Sequence, residues 1–205
     1  MKQAKISKTR SQRSSVMGFL LFLFAMLSAL LPATAQFGTI KGSVRYYTEN
    51  QILIRDSAVV TLYLDGLALA SCPVSPAGSY EFNGLMADTY DIHVSCTKYW
   101  GGANSVDALL VLKHFVNQPA CLFDLCLLAA DVNASCGIPN AADALAIIRR
   151  FTGQIMNFMP PNVNPPGGSD WVSERPSVIV YAFSVSYQNI HILCTGDVNG
   201  SFTPF

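Results

Sequence analysis

Two stretches, NSVDALLVLKHFVNQ at 104 to 118 and NAADALAIIRRFTGQ at 140 to 154, align without a gap at an offset of thirty-six residues. Asn, Asp, Ala, Leu, Phe and Gln are identical at matched positions, and most other positions exchange within their class. A repeat of this kind constrains the fold more than any composition figure, because one supersecondary unit must be built twice. Apolar residues recur at helical spacing in each copy, at Leu109, Leu112 and Val116 and at Leu145, Ile148 and Phe151, which predicts one packed face per helix. Lys113, Arg149 and Arg150 fall elsewhere. Helices of about four turns are marginal alone, so a pseudo-twofold pair sharing a core is expected.

Polar residues ahead of the second copy follow a different rule. Asp131, Asn133 and Ser135 stand at every second position, followed by Asn140 and Asp143 at the start of the helix. Helix capping explains one of the last two and none of the alternation. A hard cation such as Ca2+ takes six to eight oxygens, and alternating side chains closed by a carboxylate from the next helix supply them. Asp131, Asn133 and Ser135 fit loop positions one, three and five, a carbonyl near Gly137 follows, and Asp143 closes the shell. The first copy keeps Asn104 and Asp107 but has Cys96, Lys98 and Trp100 where loop oxygens would stand. The missing half is spelled at the far end of the chain, where GDVNGS (196 to 201) supplies Asp197, Asn199 and Ser201. A split second site is expected, fastening the C-terminal segment to the first helix.

This loop with NAADALAIIRRF behind it, and its second copy, resembles the repeat of dockerin modules. The resemblance implies two loop-helix units, each related to an EF-hand without its entering helix, calcium as the bound ion, and a cohesin module as the protein partner. The loop from Asp131 to Asp143 is one residue longer than the usual twelve, and Ser135 replaces a more common acidic ligand.

Upstream, the period is two. GTIKGSVRYY, AVVTLYLDG, GSYEFNGL and TYDIHVSC, separated by Gly, Pro and Asp turns, predict an antiparallel β-sandwich over residues 36 to 99. The pieces GSV, AVVTLYLDG, SPAGSYEFNGL and ADTYDIHV resemble carboxypeptidase regulatory-like domains, immunoglobulin-like modules that commonly act as non-catalytic spacers, with Asp88 where a glycine usually precedes the last strand. Residues 100 to 205 are expected to form the dockerin-like module. SVIVYAFSVSY within it predicts a β-hairpin extension, at about 160 to 195. The fold class is therefore α+β, in two modules.

Residues 1 to 35 read as a secretory signal, with basic residues ahead of an apolar run and Ala33-Thr34-Ala35 before Gln36. Five of the thirteen Lys and Arg precede residue 36, leaving eight against thirteen Asp and Glu, a net of about −5. An acidic chain without a basic cluster argues against nucleic acid and anionic membranes as partners. Cys72, Cys96, Cys121, Cys126, Cys136 and Cys194 all lie beyond the leader, and an even count suits disulfides in an exported protein. Cys121 and Cys126 are near enough to pair, and the connectivity stays open.

His93, His114 and His191 are scattered, and neither a nucleophile elbow nor a phosphate-binding loop occurs. Asp107 and Asp143 could be imagined as a glycosidase pair, but their oxygen-rich surroundings favour a metal. The expectation is an extracellular or cell-surface, non-catalytic, calcium-binding docking protein, of the kind found in polysaccharide-degrading assemblies. Two alternatives remain: a surface protein in which calcium serves stability only, or a carbohydrate-binding module, which would need exposed aromatics on the sandwich.

Overall fold

The computed structural model describes residues 37–47, 52–118, 124–135, 138–158 and 170–204. The leader, Gly137, Cys121 and Cys136 lie outside the described residues. Among the described residues, no helix is long and apolar enough to cross a membrane.

Among the described residues, nine strands form two sheets. They are β1 (Gly38–Tyr46), β2 (Ala58–Leu64), β3 (Leu67–Pro73), β4 (Ser79–Leu85), β5 (Asp88–Cys96), β6 (Trp171–Ser173), β7 (Ser177–Val180), β8 (Val185–Tyr187) and β9 (Ile190–Cys194). One sheet has the order β4-β1-β9-β6, with β8 also beside β1, and the other has the order β3-β2-β5-β7. The alternation in the sequence sets which side chains turn inward. Ile40, Val44 and Tyr46 from β1, Val60 and Leu62 from β2, and Tyr90 and Ile92 from β5 are buried in one core. Each such aliphatic side chain contributes about 1.5–3 kcal/mol on burial.

The C-terminal strands do not form the expected hairpin. β7 pairs antiparallel with β5 in one sheet, while β8 pairs parallel with β1 in the other, so residues 181–184 cross between sheets. The crossover seats against β1 because residue 38 is glycine. A Cβ there would lie 2.4 Å from Val180 Cγ1 and 2.6 Å from the Tyr181 carbonyl oxygen. β9 is inserted between β1, to which it runs parallel, and β6, to which it runs antiparallel. Its residues Ile192, Leu193 and Cys194 are buried without alternation, as a strand covered on both faces requires. The sheet is therefore mixed rather than antiparallel. Strands from 171 to 194 complete both sheets, so the segment expected to embellish a second module belongs to the sandwich, and Gln36–Phe205 is one compact unit.

Among the described residues, three helices accompany the sheets: α1 (Ser105–Phe115), α2 (Leu125–Ala130) and α3 (Ala141–Phe151). α1 and α3, the two copies of the repeat, pack against each other. Both end with a left-handed residue, Asn117 (φ 54°) and Gly153 (φ 74°), and the next amide reaches back to Lys113 O at 2.9 Å and Arg149 O at 2.7 Å, closing a Schellman motif.

The packed face is not the one the large apolar residues predict. Asp107, Ala108 and Val111 are buried on α1, and Asp143, Ala144, Ile147 and Arg150 on α3. Leu109, Leu112, Val116, Leu145 and Phe151 are exposed, and Ile148 is half-buried. Two alanines at the contact let the helices approach closely, and each aspartate is drawn inward by the loop it serves. Arg150 NH2 pairs with Asp170 Oδ1 at 2.6 Å, and its guanidinium lies 3.7 Å over the Trp100 ring and 4.5 Å over Phe158. Cys72, Cys96 and Cys194 stand as thiols.

Because β6 to β9 complete both sheets, a chain ending at residue 160 is expected to lose cooperative unfolding and near-ultraviolet circular dichroism, whereas the full chain unfolds in one transition. Two independent transitions in the full chain would mean two modules after all.

Candidate metal centres

The sites begin with the helix caps. Asn104 Oδ1 accepts from Val106 N at 2.7 Å, and Asp107 Oδ2 accepts from Asn104 N at 2.9 Å. At α3, Asn140 Oδ1 accepts from Ala142 N at 2.8 Å, and Asp143 Oδ2 accepts from Asn140 N at 2.9 Å. These are capping boxes with aspartate in the usual Glu position. The side-chain oxygens of Asn104 and Asn140, counted among the candidate ligands, are thus engaged as caps. One oxygen of each aspartate is also used by the cap, leaving Oδ1 to face outward from the helix.

What each Oδ1 meets is a loop of the same spelling. Asp143 Oδ1 accepts from Asn133 N at 3.2 Å, and Asp107 Oδ1 accepts from Asn199 N at 3.2 Å. Within the first loop, Ser135 N donates to Asp131 Oδ1 at 3.0 Å and to Asn133 Oδ1 at 2.9 Å. Within the second, Ser201 N donates to Asp197 Oδ1 at 3.0 Å and to Asn199 Oδ1 at 2.9 Å. The serine hydroxyls add bonds to the same aspartates, at 3.2 Å from Ser135 and 3.3 Å from Ser201. Both loops turn through a left-handed residue, Ala134 (φ 51°) and Gly200 (φ 63°). The structure therefore brings Asp131, Asn133 and Ser135 to Asp143, and Asp197, Asn199 and Ser201 to Asp107.

The second cluster is assembled from residues remote in sequence, and the sequence reading missed what secures it. Tyr46 OH donates to Asp197 Oδ2 at 2.5 Å, and Phe202 N donates to the same oxygen at 3.0 Å. The rings of Tyr46 and Phe202 meet edge to face at 6.0 Å, and those of Tyr46 and Trp171 at 5.8 Å. Two glycines make room for the tail. A Cβ on Gly102 would lie 2.5 Å from Asp197 Oδ2, and one on Gly101 would lie 2.4 Å from the Phe202 ring. The Gly101-Gly102 pair just ahead of Asn104 is a sequence signal for this close approach that the spacing of the loop residues did not use.

Asp107, Asp143 and Asp197 have no solvent exposure. Burial pushes the Asp107 carboxyl up to about 6, the nearby Asp197 charge adds to the rise, and amides of Asn104, Asn199 and Val198 oppose it. Asp143 is also raised, by burial and by Asp131. Burial and the Asp197 charge raise Tyr46. None of these shifts has a Lys, Arg or His among its causes. In the second cluster two buried carboxylates, Asp107 and Asp197, thus face each other, and in the first a buried Asp143 faces the half-buried Asp131, an arrangement that protonation or a cation relieves.

The donor chemistry bears on which cation. Among the described residues, no group of three or more His, Cys, Asp or Glu converges. Each cluster offers two carboxylates, an amide oxygen and a hydroxyl, all hard oxygens with no sulfur or imidazole. That set fits calcium and does not fit zinc or copper.

No family model matches this chain, and no curated protein matches it. Comparison with solved structures gives distant similarities only. A DUF3823 family protein from Parabacteroides merdae ATCC 43184 is 13% identical at a TM-score of 0.34, over 78% of this chain and 47% of its own. The minor pilin of Streptococcus agalactiae is 9% identical at 0.34, over 83% and 47%. The TIE protein of Bacillus anthracis is 8% identical at 0.34, over 78% and 17%. The chain spans less than half the length of each, and scores this low carry no functional inference.

For the metal-free chain the pH dependence has a definite sign. The Asp107 carboxyl is raised from 3.8 to about 6, so its contribution is fully present below the unfolded value and lost as pH rises through about 6. In chelator, melting temperature should fall between about pH 4 and pH 6, and Asp107→Asn should remove that part of the slope. Equal slopes in both proteins would show that Asp107 is not desolvated.

Proposed function

We propose that the chain is an exported, non-catalytic module in which two calcium ions, one at each loop, hold the paired helices in register, and that the outer helix faces then dock a protein partner of the cohesin kind. The observation that carries the first part is the matched hydrogen-bonding of the two clusters. Three loop residues of the same types, in the same order, close on a buried helix-head aspartate from opposite chain directions. A turn motif alone requires neither this duplication nor the burial of the carboxylates. Calcium at a hundred times its Kd adds about 2.7 kcal/mol to the folded form.

The docking part rests on the outward face. Val106, Leu109 and Phe115 on α1, Val116 at its C-cap, and Leu145 and Phe151 on α3 are each about half exposed. Apolar side chains repeated on two symmetry-related helices form a surface that a partner's apolar patch would cover. One specific observation favours a second reading, in which calcium serves stability only. Asp197 is tied to β1 through Tyr46, so the same ion would fasten the tail and the helices to the sandwich without any partner.

Titration calorimetry is expected to give two bound calcium ions, and Asp197→Ala with Asn199→Ala to leave one. No heat of binding, together with identical melting in EDTA and in millimolar calcium, would remove the ion from the account. Against immobilised cohesin modules from the same source, binding should require calcium and be lost in Leu109→Glu with Leu145→Glu, at unchanged calcium stoichiometry. If calcium binds but no cohesin is retained, the stability reading replaces docking.

A further inference from the structure

Where β5 and β9 end, two cysteines stand on facing walls of the sandwich. Cys96 pairs in register with Ala58 of β2, which is buried, so its side chain continues the inward row of Tyr90 and Ile92. Cys194 pairs with Trp171 of β6 and continues the row of Ile190 and Ile192, whose partners on β1 are Val44 and Tyr46. All of these are buried. The two strands belong to different sheets, so the thiols enter the interior from opposite sides.

Packed sheets ordinarily stand about 10 Å apart, whereas a disulfide needs Cα atoms within about 7 Å. At this end the walls are bridged directly. Trp171 Nε1 donates to Lys98 O at 2.9 Å, and Trp100 Nε1 donates to Thr195 O at 2.8 Å. The chain leaving β5 is thus laced to the register partner of Cys194 and to the residue that follows it, and β5 and β6 approach within 8 Å between Cα atoms. Burial pushes the Cys194 thiol up to about 12, and the charge of Cys96 is among the causes that raise it further, as a near neighbour's would. Cys72 is out of reach of both. Its strand, β3, is separated from β5 by β2, about 9.5 Å at ordinary strand spacing, and it faces β4, which β1 separates from β9.

We propose that Cys96 and Cys194 are the site of a disulfide that joins β5 of one sheet to β9 of the other. The oxidant is a second disulfide, small or protein-borne, of the kind an exported chain meets. Cys194 has no solvent exposure and Cys96 is half-buried, so Cys96 meets the oxidant first. Its thiolate attacks one oxidant sulfur, a mixed disulfide forms and one thiolate leaves; the Cys194 thiolate then attacks the Cys96 sulfur and expels the second. The chain gives up two protons and two electrons, and the oxidant ends as two thiols. The bridge pins β9 to the opposite sheet and closes a loop of about 100 residues. It requires no ion.

The purified full chain, refolded from denaturant in reduced and oxidised glutathione, can be digested without reduction and its peptides weighed. The expected product is a cross-linked pair containing Cys96 and Cys194, lighter by two hydrogen atoms than the separate peptides and absent after reduction. Under oxidation Cys96→Ala should melt roughly 10 °C below the parent chain, the order expected for a loop of this length, while in reductant the two should melt together. Three results would overturn the proposal: both cysteines alkylated when the refolded chain is opened by denaturant in iodoacetamide, a cross-link joining either of them to Cys72, Cys121, Cys126 or Cys136, or equal melting of parent and variant under oxidation.

Discussion

The Asp107 carboxylate holds the molecule together at its most remote junction. One oxygen accepts from the amide at the head of α1, and the other accepts from the amide of Asn199 near the far end of the chain. This carboxylate has no exposure to water. A buried acceptor left unmatched costs about 1–3 kcal/mol, so the tail cannot leave without orphaning it. With the tail in place, Asp197 meets Tyr46 and Phe202 lies against Trp171. The helical layer and the sandwich thus share one polar knot surrounded by aromatic rings.

The two clusters are alike in local geometry and unlike in connectivity. Around Asp143 the loop runs directly into its helix, so closing it costs a short stretch of chain entropy. Around Asp107 the loop arrives from the other end of the chain, carried by β9. Loop-closure entropy grows only with the logarithm of length, which explains how such a split arrangement can be tolerated. The larger part of that cost is met by β9, whose burial between β1 and β6 delivers the tail to its place.

How much of this the sequence disclosed depended on whether the signal was local. The gapless repeat placed both helices and both capping aspartates, and the shared Asp-Val-Asn-x-Ser spelling pointed to the juxtaposition of the tail with α1, because each depends on spacing alone. Strands β1, β2, β4 and β5 were legible from alternation. The C-terminal strands were not placed correctly, since Val178 and Val180 alternate in the same way whether their partner is a neighbouring hairpin strand or β5. The choice is made by the missing Cβ of Gly38, which no periodicity reports. The helix faces were misassigned for a related reason. Size favoured Leu109 and Leu145 for the contact, but a buried aspartate at the head of each helix fixes its rotation and turns the small Ala108 and Ala144 inward instead. Tyr46 gave no signal at all, being an ordinary inward tyrosine of β1 until the tail reaches it.

The position of β9 has a bearing on when such a chain can fold. It is the last strand in sequence yet lies inside its sheet, and β6, at that sheet's edge, pairs only with it. A partial chain emerging from the ribosome has β1 paired to β4 with its other side bare. The compact form therefore becomes available only after residues 190–194 have been made and β9 can enter beside β1.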